Sequence, residues 1–393
     1  MLRTGLERWL AEGPACANLG SPLRYGLVAH PASVDRDGRH VLETIHGSAA
    51  GLPLRLFAPE HGLWGHEQDM EGVGDNVDEW TGLPVISLYG DDPSSLRPTA
   101  AALDGLDAIV VDLQDIGSRY YTFIYTMAYV MEAARPLGLP VVVLDRPNPI
   151  GGTRVEGPLL EAGWESFVGR YPLPVRHGMT AGELARLFNE SHGIGCDLRV
   201  VAMTGWERSM SFEQTGLPFV PPSPNMPATR TARVYPGGCL IEGTGLSEGR
   251  GTTLPFELVG APGLDARSLC RILRRAGLDG VSFRAASFRP QFQKHAGNAC
   301  SGVQVIVTAE TFQPFESYLA ILAAAREIGG DVFSWRTETY EFESDRLAID
   351  LLFGNDWLRR GIEDGIVWRE LAARWRPDLE RFKQERDAFL IYR

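Results

Sequence analysis

The sequence predicts an α/β fold: a Rossmann-like, doubly wound, mostly parallel sheet joined to a second, smaller α+β domain. Two observations carry the first part. Five short apolar runs rich in β-branched residues lie in the first half: YGLVA from Tyr25, LRLFA from Leu54, PVISL from Pro84, AIVVDL from Ala108 and PVVVLD from Pro140. Runs without polar alternation are the pattern of strands buried on both faces, as parallel sheets require. Helix-like segments separate several of them, PTAAALDGL from Pro98 and YTFIYTMAYVMEAARPLG from Tyr121. A change of pattern after Gly263 carries the second part. There a helix DARSLCRILRRAG is followed by strands VSFRAASF and GVQVIVTA, then by helices beginning at Pro314, Gly365 and Pro377.

In chain order, the run from Leu54 breaks at Pro59 and releases Glu60, His61, His66, Glu67, Asp69 and Glu71 in a glycine-containing loop. Loops at the carboxyl ends of strands in open α/β sheets are where ligands bind. Tyr89, the Asp112–Asp115 segment and the Asp145–Asn148 segment trail the next strands and point to the same edge, although Asp112 and Asp145 also suit helix caps or turns. Thr180 and Glu183 form a capping box that opens the helix ELARLFNES, and LRVVAM from Leu198 reads as another strand. The stretch 206–263 is rich in proline and glycine and lacks periodicity, so it is expected to be a structured binding loop containing the domain boundary. We place the domains at 1–240 and 241–393, with a cleft between them; 393 residues are too many for one ordinary core.

The net charge of −12 argues against nucleic acid or an anionic membrane surface as partner, because both need a cationic face. A small-molecule substrate is expected instead. The five scattered cysteines contain no C-x-x-C pair and suggest reduced thiols. The segment MLRTGLERWLAEGPACANLG lacks the apolar core of a secretory signal, and no later run reaches the ~20 residues of a membrane span, so a cytoplasmic location is expected.

No G-x-G-x-x-G follows the first strand and no phosphate-binding P-loop motif is present, so no nucleotide cofactor is expected. Gly245-Leu-Ser247-Glu-Gly249 matches the G-x-S-x-G elbow formally, but Pro255 forbids the helix that must follow. The imidazoles and acids from His61 to Asp69 could hold a divalent ion, yet their spacing fits no H-E-x-x-H helix, and no metal is assigned. Paired carboxylates are the stronger signal. Glu60 and Glu71 flank the glycine-rich loop, and Glu242 and Glu248 lie in the later binding stretch. Glycoside hydrolysis needs one acid to protonate the leaving oxygen and usually a second carboxylate as base or nucleophile. Trp64, Tyr89, Tyr120, Tyr121 and Asn148 could wall a sugar, and Arg119, Arg176 or Arg250 could hold a substrate carboxylate. A non-catalytic sugar-binding protein and a metal-dependent hydrolase are the alternatives.

The succession APEHGLWG, TGLPVISLYG, DLQDIGSRYYTFIYTM, VLDRPNPIGG, VEGPLL, VRHGMTAGELA, PPSPNMP and YPGGCLIEGTGLSEGRGTTLPFE resembles the NamZ-type exo-β-N-acetylmuramidases from about Tyr25 to Pro262. The resemblance implies a Rossmann-like domain with a smaller partner and release of N-acetylmuramic acid from the non-reducing ends of peptidoglycan fragments. It maps the EHG motif onto Glu60-His61-Gly62 and a downstream acid onto Glu71. Where many relatives continue EHGFRG with small residues, this chain has Trp64, His66 and Glu67, which implies a different substrate reach or an extra subsite. Glu60 is thus the expected general acid. The second role falls to Glu71, to Glu242 or to the substrate's own 2-acetamido group. His61, Arg119, Tyr120, Tyr121, Asn148, Arg176, His177, Asn225, Arg250 and Thr252 are the expected substrate contacts.

Overall fold

The computed structural model describes residues 2–68 and 70–393. Among the described residues twelve strands appear: β1 Tyr25–Ala29, β2 Arg55–Ala58, β3 Asn76–Val77, β4 Pro84–Ser87, β5 Ala108–Asp112, β6 Val141–Leu144, β7 Glu156–Leu159, β8 Pro174–Arg176, β9 Leu198–Val201, β10 Leu258–Ala261, β11 Val281–Phe288 and β12 Cys300–Val307. The main sheet has the order β3-β4-β2-β1-β5-β6-β9 and is parallel except for the β3/β4 edge pair. Each of the five apolar runs is a strand of this sheet, as is LRVVAM. The predicted α/β class is borne out.

The two faces are covered differently. Leu6 and Trp9 of the helix Gly5–Glu12 pack against Leu27, Leu56, Val110 and Val142 on one face. The helix Phe123–Ala134, apolar nearly all round, closes the other. The core on that second face continues without a break into Phe256, Leu319, Leu351 and Phe382 of the C-terminal half. There β10, β12 and β11 form an antiparallel sheet, and β7 pairs with β8 as a separate ribbon. Among the described residues no helix is long and apolar enough to cross a membrane.

The 206–263 stretch is more regular than its composition suggests. It holds the helix Thr229–Gly238, the 3-10 turn Cys239–Gly243 and β10. Pro236 sits in the last turn of that helix, and a Cβ on Gly237 would lie 2.2 Å from the Pro314 carbonyl oxygen. Two residues that predict a loop are there because the helix end runs against another backbone. Near the C-terminus the expected starts at Gly365 and Pro377 are replaced by one helix, Trp368–Arg386, which carries Pro377 inside it.

Candidate functional site

Pro59 ends β2, and the chain then turns through His61 at φ 71° and Gly62 at φ 79°. Two successive left-handed residues reverse the backbone sharply. A non-glycine residue rarely holds such a conformation unless its surroundings require it. The His61 ring is fixed by a 2.9 Å contact from Nδ1 to the Glu67 carbonyl oxygen. Glu60 is buried, and the Thr122 hydroxyl donates to its Oε2 at 2.7 Å. Thr122 stands immediately before the helix Phe123–Ala134, so the loop after β5 meets the loop after β2 at this carboxylate.

The facing wall comes from the C-terminal half. Glu242, in the 3-10 turn, receives Arg250 Nη2 at 2.9 Å on Oε1 and the Tyr340 hydroxyl at 2.8 Å on Oε2. Lys294 lies beneath, donating to the carbonyls of Ile241, Thr244 and Leu246 and reaching Glu248 at 2.9 Å. Burial pushes the Glu248 carboxyl up, but Lys294 and Arg250 outweigh it and hold it below the usual range. A third acid, Glu341, accepts from the Tyr89 hydroxyl at 3.0 Å; it sits at φ 48° beside Phe342 at φ 68°, a second reversal presenting side chains to the same space.

Glu60, His61, Tyr120, Tyr121, Asn225, Glu242, Arg250, Tyr235, Tyr340 and Glu341 therefore line one crevice of about 540 Å³, counting its open mouth. Asn225 is tied to the Glu60 loop through Gln68 at 3.1 Å. Burial pushes the hydroxyl pKa values of Tyr120, Tyr121, Tyr235 and Tyr340 well up, so these rings present neutral phenols. Neutral hydroxyls, an amide and carboxylates on aromatic walls suit a polyhydroxylated ligand.

Several expected contacts lie elsewhere. Glu71 is exposed, its carboxylate taken by the backbone N–H of Gln68 at 3.1 Å, so the loop turn uses it and the crevice does not. Arg119 is fully buried and donates to the carbonyls of Pro158, Leu173 and Leu352; it braces main chain, and burial lowers its pKa. Asn148 closes its own turn, accepting from Ile150 and donating to Met179. Arg176 donates to the Ile150 carbonyl and faces a separate depression with Arg154, Arg208 and Arg233, where burial lowers its pKa to about 10. His177 is buried against Asp115 at 3.2 Å, and Thr252 closes the Gly249–Leu254 turn. Asp112 is spent in a bidentate pair with Arg146 at 2.6 and 2.7 Å, and Asp145 accepts from Thr180 and Tyr392. Ser247 is buried and bridges to Gly260 in a β arrangement, so no nucleophile elbow forms.

Five site residues were not singled out by the sequence: Tyr340 and Glu341, in an irregular segment far from any strand end, Lys294, Thr122 and Tyr235. Among the described residues no three His, Cys, Asp or Glu side chains are gathered as metal ligands. His66 instead faces Glu67 at 3.1 Å, and Asp69 lies outside the described residues.

A crevice at the carboxyl edge of a parallel sheet, with acids converging on it from two halves of the chain between aromatic walls, defines a carbohydrate-active hydrolase. The model of the N-terminal part of exo-β-N-acetylmuramidase NamZ matches residues 25–230 and that of its C-terminal part residues 233–392. The chain belongs to the NamZ family of exo-β-N-acetylmuramidases, a family of glycoside hydrolases. It is 45% identical over 370 residues to the peptidoglycan β-N-acetylmuramidase NamZ of Bacillus subtilis strain 168, covering 94% of this chain and 87% of that protein. Crystal structures of two DUF1343-family proteins from Bacteroides fragilis NCTC 9343 superpose with TM-scores of 0.89 and 0.75 at 31% and 28% identity, covering 100% of this chain and 99% of each.

Proposed function

We propose that this chain is an exo-acting glycosidase releasing N-acetylmuramic acid from the non-reducing ends of peptidoglycan fragments. The observation that carries the reading is the convergence of Glu60 and Glu242 on one crevice in a chain of this family. Glu60 donates its proton to the glycosidic oxygen as the bond to the anomeric carbon breaks, and Thr122 orients the carboxyl for that transfer. Of the three candidates for the second role, Glu71, Glu242 and the substrate's 2-acetamido group, the role falls to Glu242 or to the acetamido group. Arg250 and Tyr340 aim the Glu242 carboxylate, and Tyr120, Tyr121, His61 and Asn225 supply hydroxyl, ring and amide contacts to the sugar. Arg250 is the one of the three proposed carboxylate-binding arginines that reaches the crevice, which makes it the contact for the lactyl carboxylate. All five cysteines are unpaired, which fits the reducing cytoplasm.

Purified protein is expected to release 4-nitrophenol from the β-N-acetylmuramide and not from the β-N-acetylglucosaminide. Glu60→Gln, which keeps shape and removes the proton, should lower kcat by about 100-fold or more with an unchanged melting temperature. Full turnover by that variant would remove Glu60 from the mechanism, and an uncleaved muramide would end the substrate assignment.

A further inference from the structure

On the outer side of the Glu60 loop, away from the crevice, lies a groove of about 1220 Å³ including its open mouth, lined among others by Trp64, His66, Glu67, Asn76, Val77 and Trp80. We propose that this groove is a second sugar subsite, in which the exposed indole of Trp80 carries a β-linked N-acetylhexosamine ring of the chain that remains outside the crevice. The proposal rests on the glycosidase reading above.

Trp80 is 67% exposed and Val77 61%, an arrangement that folding alone does not favour, since an indole gains by leaving water. Nevertheless the fold holds this ring firmly. Buried Asp78 accepts from the Thr81 N–H at 2.8 Å and the Thr81 hydroxyl at 2.6 Å, closing the turn on which Trp80 sits. The same turn is pinned by the Asp78 N–H to the Leu83 carbonyl at 2.9 Å and the Gly82 N–H to the Asp78 carbonyl at 2.8 Å. The other oxygen of Asp78 accepts from Trp64 Nε1 at 2.9 Å, and the Trp64 ring is packed between His40, centroids 4.6 Å apart, and Trp80, 4.4 Å apart. Trp64 is a foundation and Trp80 a platform. One buried carboxylate fixes both, and a rigid solvent-facing aromatic is preorganised for a ligand.

The chemistry around the platform favours an uncharged sugar. Asn76, His66, Glu67 and Glu79 supply hydrogen-bonding groups along the groove, and the acids disfavour phosphates or peptide carboxylates. Pyranose rings with equatorial substituents expose a C–H face that packs on an indole. The groove and the crevice lie on the two sides of one loop. Glu60 and His61 line the crevice, Gly62, Leu63, Trp64, His66 and Glu67 line the groove, and the His61–Glu67 contact ties the two sides together. An exo-acting enzyme holds the terminal ring inside, so the remaining rings leave over a lip, and this loop is such a lip.

The test compares substrates in Trp80→Ala and Trp80→Tyr. The chromogenic N-acetylmuramide, which ends at the first ring, should be cleaved by both variants with wild-type kcat and KM. On N-acetylmuramic-acid-terminated glycans of four or more sugars, Trp80→Ala should raise KM about three- to tenfold at unchanged kcat, the worth of one aromatic contact. Trp80→Tyr should recover most of that rise. A long-glycan KM within roughly twofold of wild type overturns the proposal, as does an equal loss on both substrates. If the wild type leaves the chromogenic muramide intact, the glycosidase reading fails by itself, and the groove is judged by titration with chitotetraose. A saturable change of indole fluorescence that Trp80→Ala lacks supports the subsite; no change overturns it.

Discussion

Replacing Lys294 by methionine removes one charge from beneath the crevice while keeping the length of the side chain. Its ammonium donates to the Ile241, Thr244 and Leu246 carbonyls at 3.0, 3.0 and 2.9 Å and faces Glu248 Oε2 at 2.9 Å. The Glu248 side chain is 2% exposed and is left with Arg250 Nε at 3.9 Å, so water cannot replace the lost cation. Each hydrogen bond from a charged donor contributes about 1.5–3 kcal/mol, and stranding one member of a buried pair costs about 3–5 kcal/mol. The two effects describe the same contacts and do not add, so ~3–5 kcal/mol is the expected loss. With an unfolding entropy of about 2.1 cal/mol/K per residue, 393 residues give roughly 0.8 kcal/mol/K and a fall in melting temperature of about 4–6 °C, followed by circular dichroism. Turnover of the chromogenic muramide should fall as well, because the carbonyls released lie in and just after the turn that carries Glu242. Adding Glu248→Gln should recover at least half of the lost stability, since a neutral amide needs no cation. A Lys294→Met melting temperature within about 1 °C of wild type, or a double variant no more stable than the single one, would refute the reasoning.

Three further outcomes are expected. Thr122→Val removes the donor to Glu60 and should lower kcat/KM about tenfold, with little change in melting temperature; wild-type turnover would show that the hydroxyl is incidental. Arg119→Met strips three buried carbonyls of their donor, so it should cost about 3–5 kcal/mol of stability while the folded fraction keeps its KM; a raised KM at wild-type stability would return Arg119 to the binding site. Burial raises the Glu156 carboxyl to about 8 from an ordinary value of 4.5. The folded protein keeps a proton that the unfolded chain releases, so this group's contribution declines as pH rises from about 4.5 to about 8, on the order of 5 kcal/mol at most. Glu156→Gln should flatten that decline, and a melting-temperature difference from wild type that does not grow between about pH 5 and pH 9 would contradict it.

Sequence and structure agree most closely where one local rule suffices. The apolar runs became strands because side chains buried on both faces need no knowledge of the partner, and Thr180 caps its helix with the reciprocal pattern its spacing predicts. Agreement is poorer where a residue type serves two purposes. Arg119, Arg176 and Arg250 look alike in sequence, yet one braces carbonyls, one faces another depression and one pairs with Glu242. Pro236 and Pro377 lie inside helices that their local signal forbids, since packing outweighs propensity there.

The sequence by itself determined the α/β class, the strand-end position of Glu60 and His61 and the resemblance to a muramidase family, because hydrophobic periodicity, turn chemistry and short motifs are local properties. The tertiary structure decided which acids meet. Glu71 is 11 positions from Glu60 yet turns out to solvent, whereas Glu242, Tyr340 and Glu341, hundreds of positions away, arrive at the same crevice. It also set Trp64 and Trp80 on the outer face of that loop, through a carboxylate, Asp78, buried between them and the turn. Pairings of this kind depend on how the two halves of one continuous core close on each other, and no local pattern records that closure.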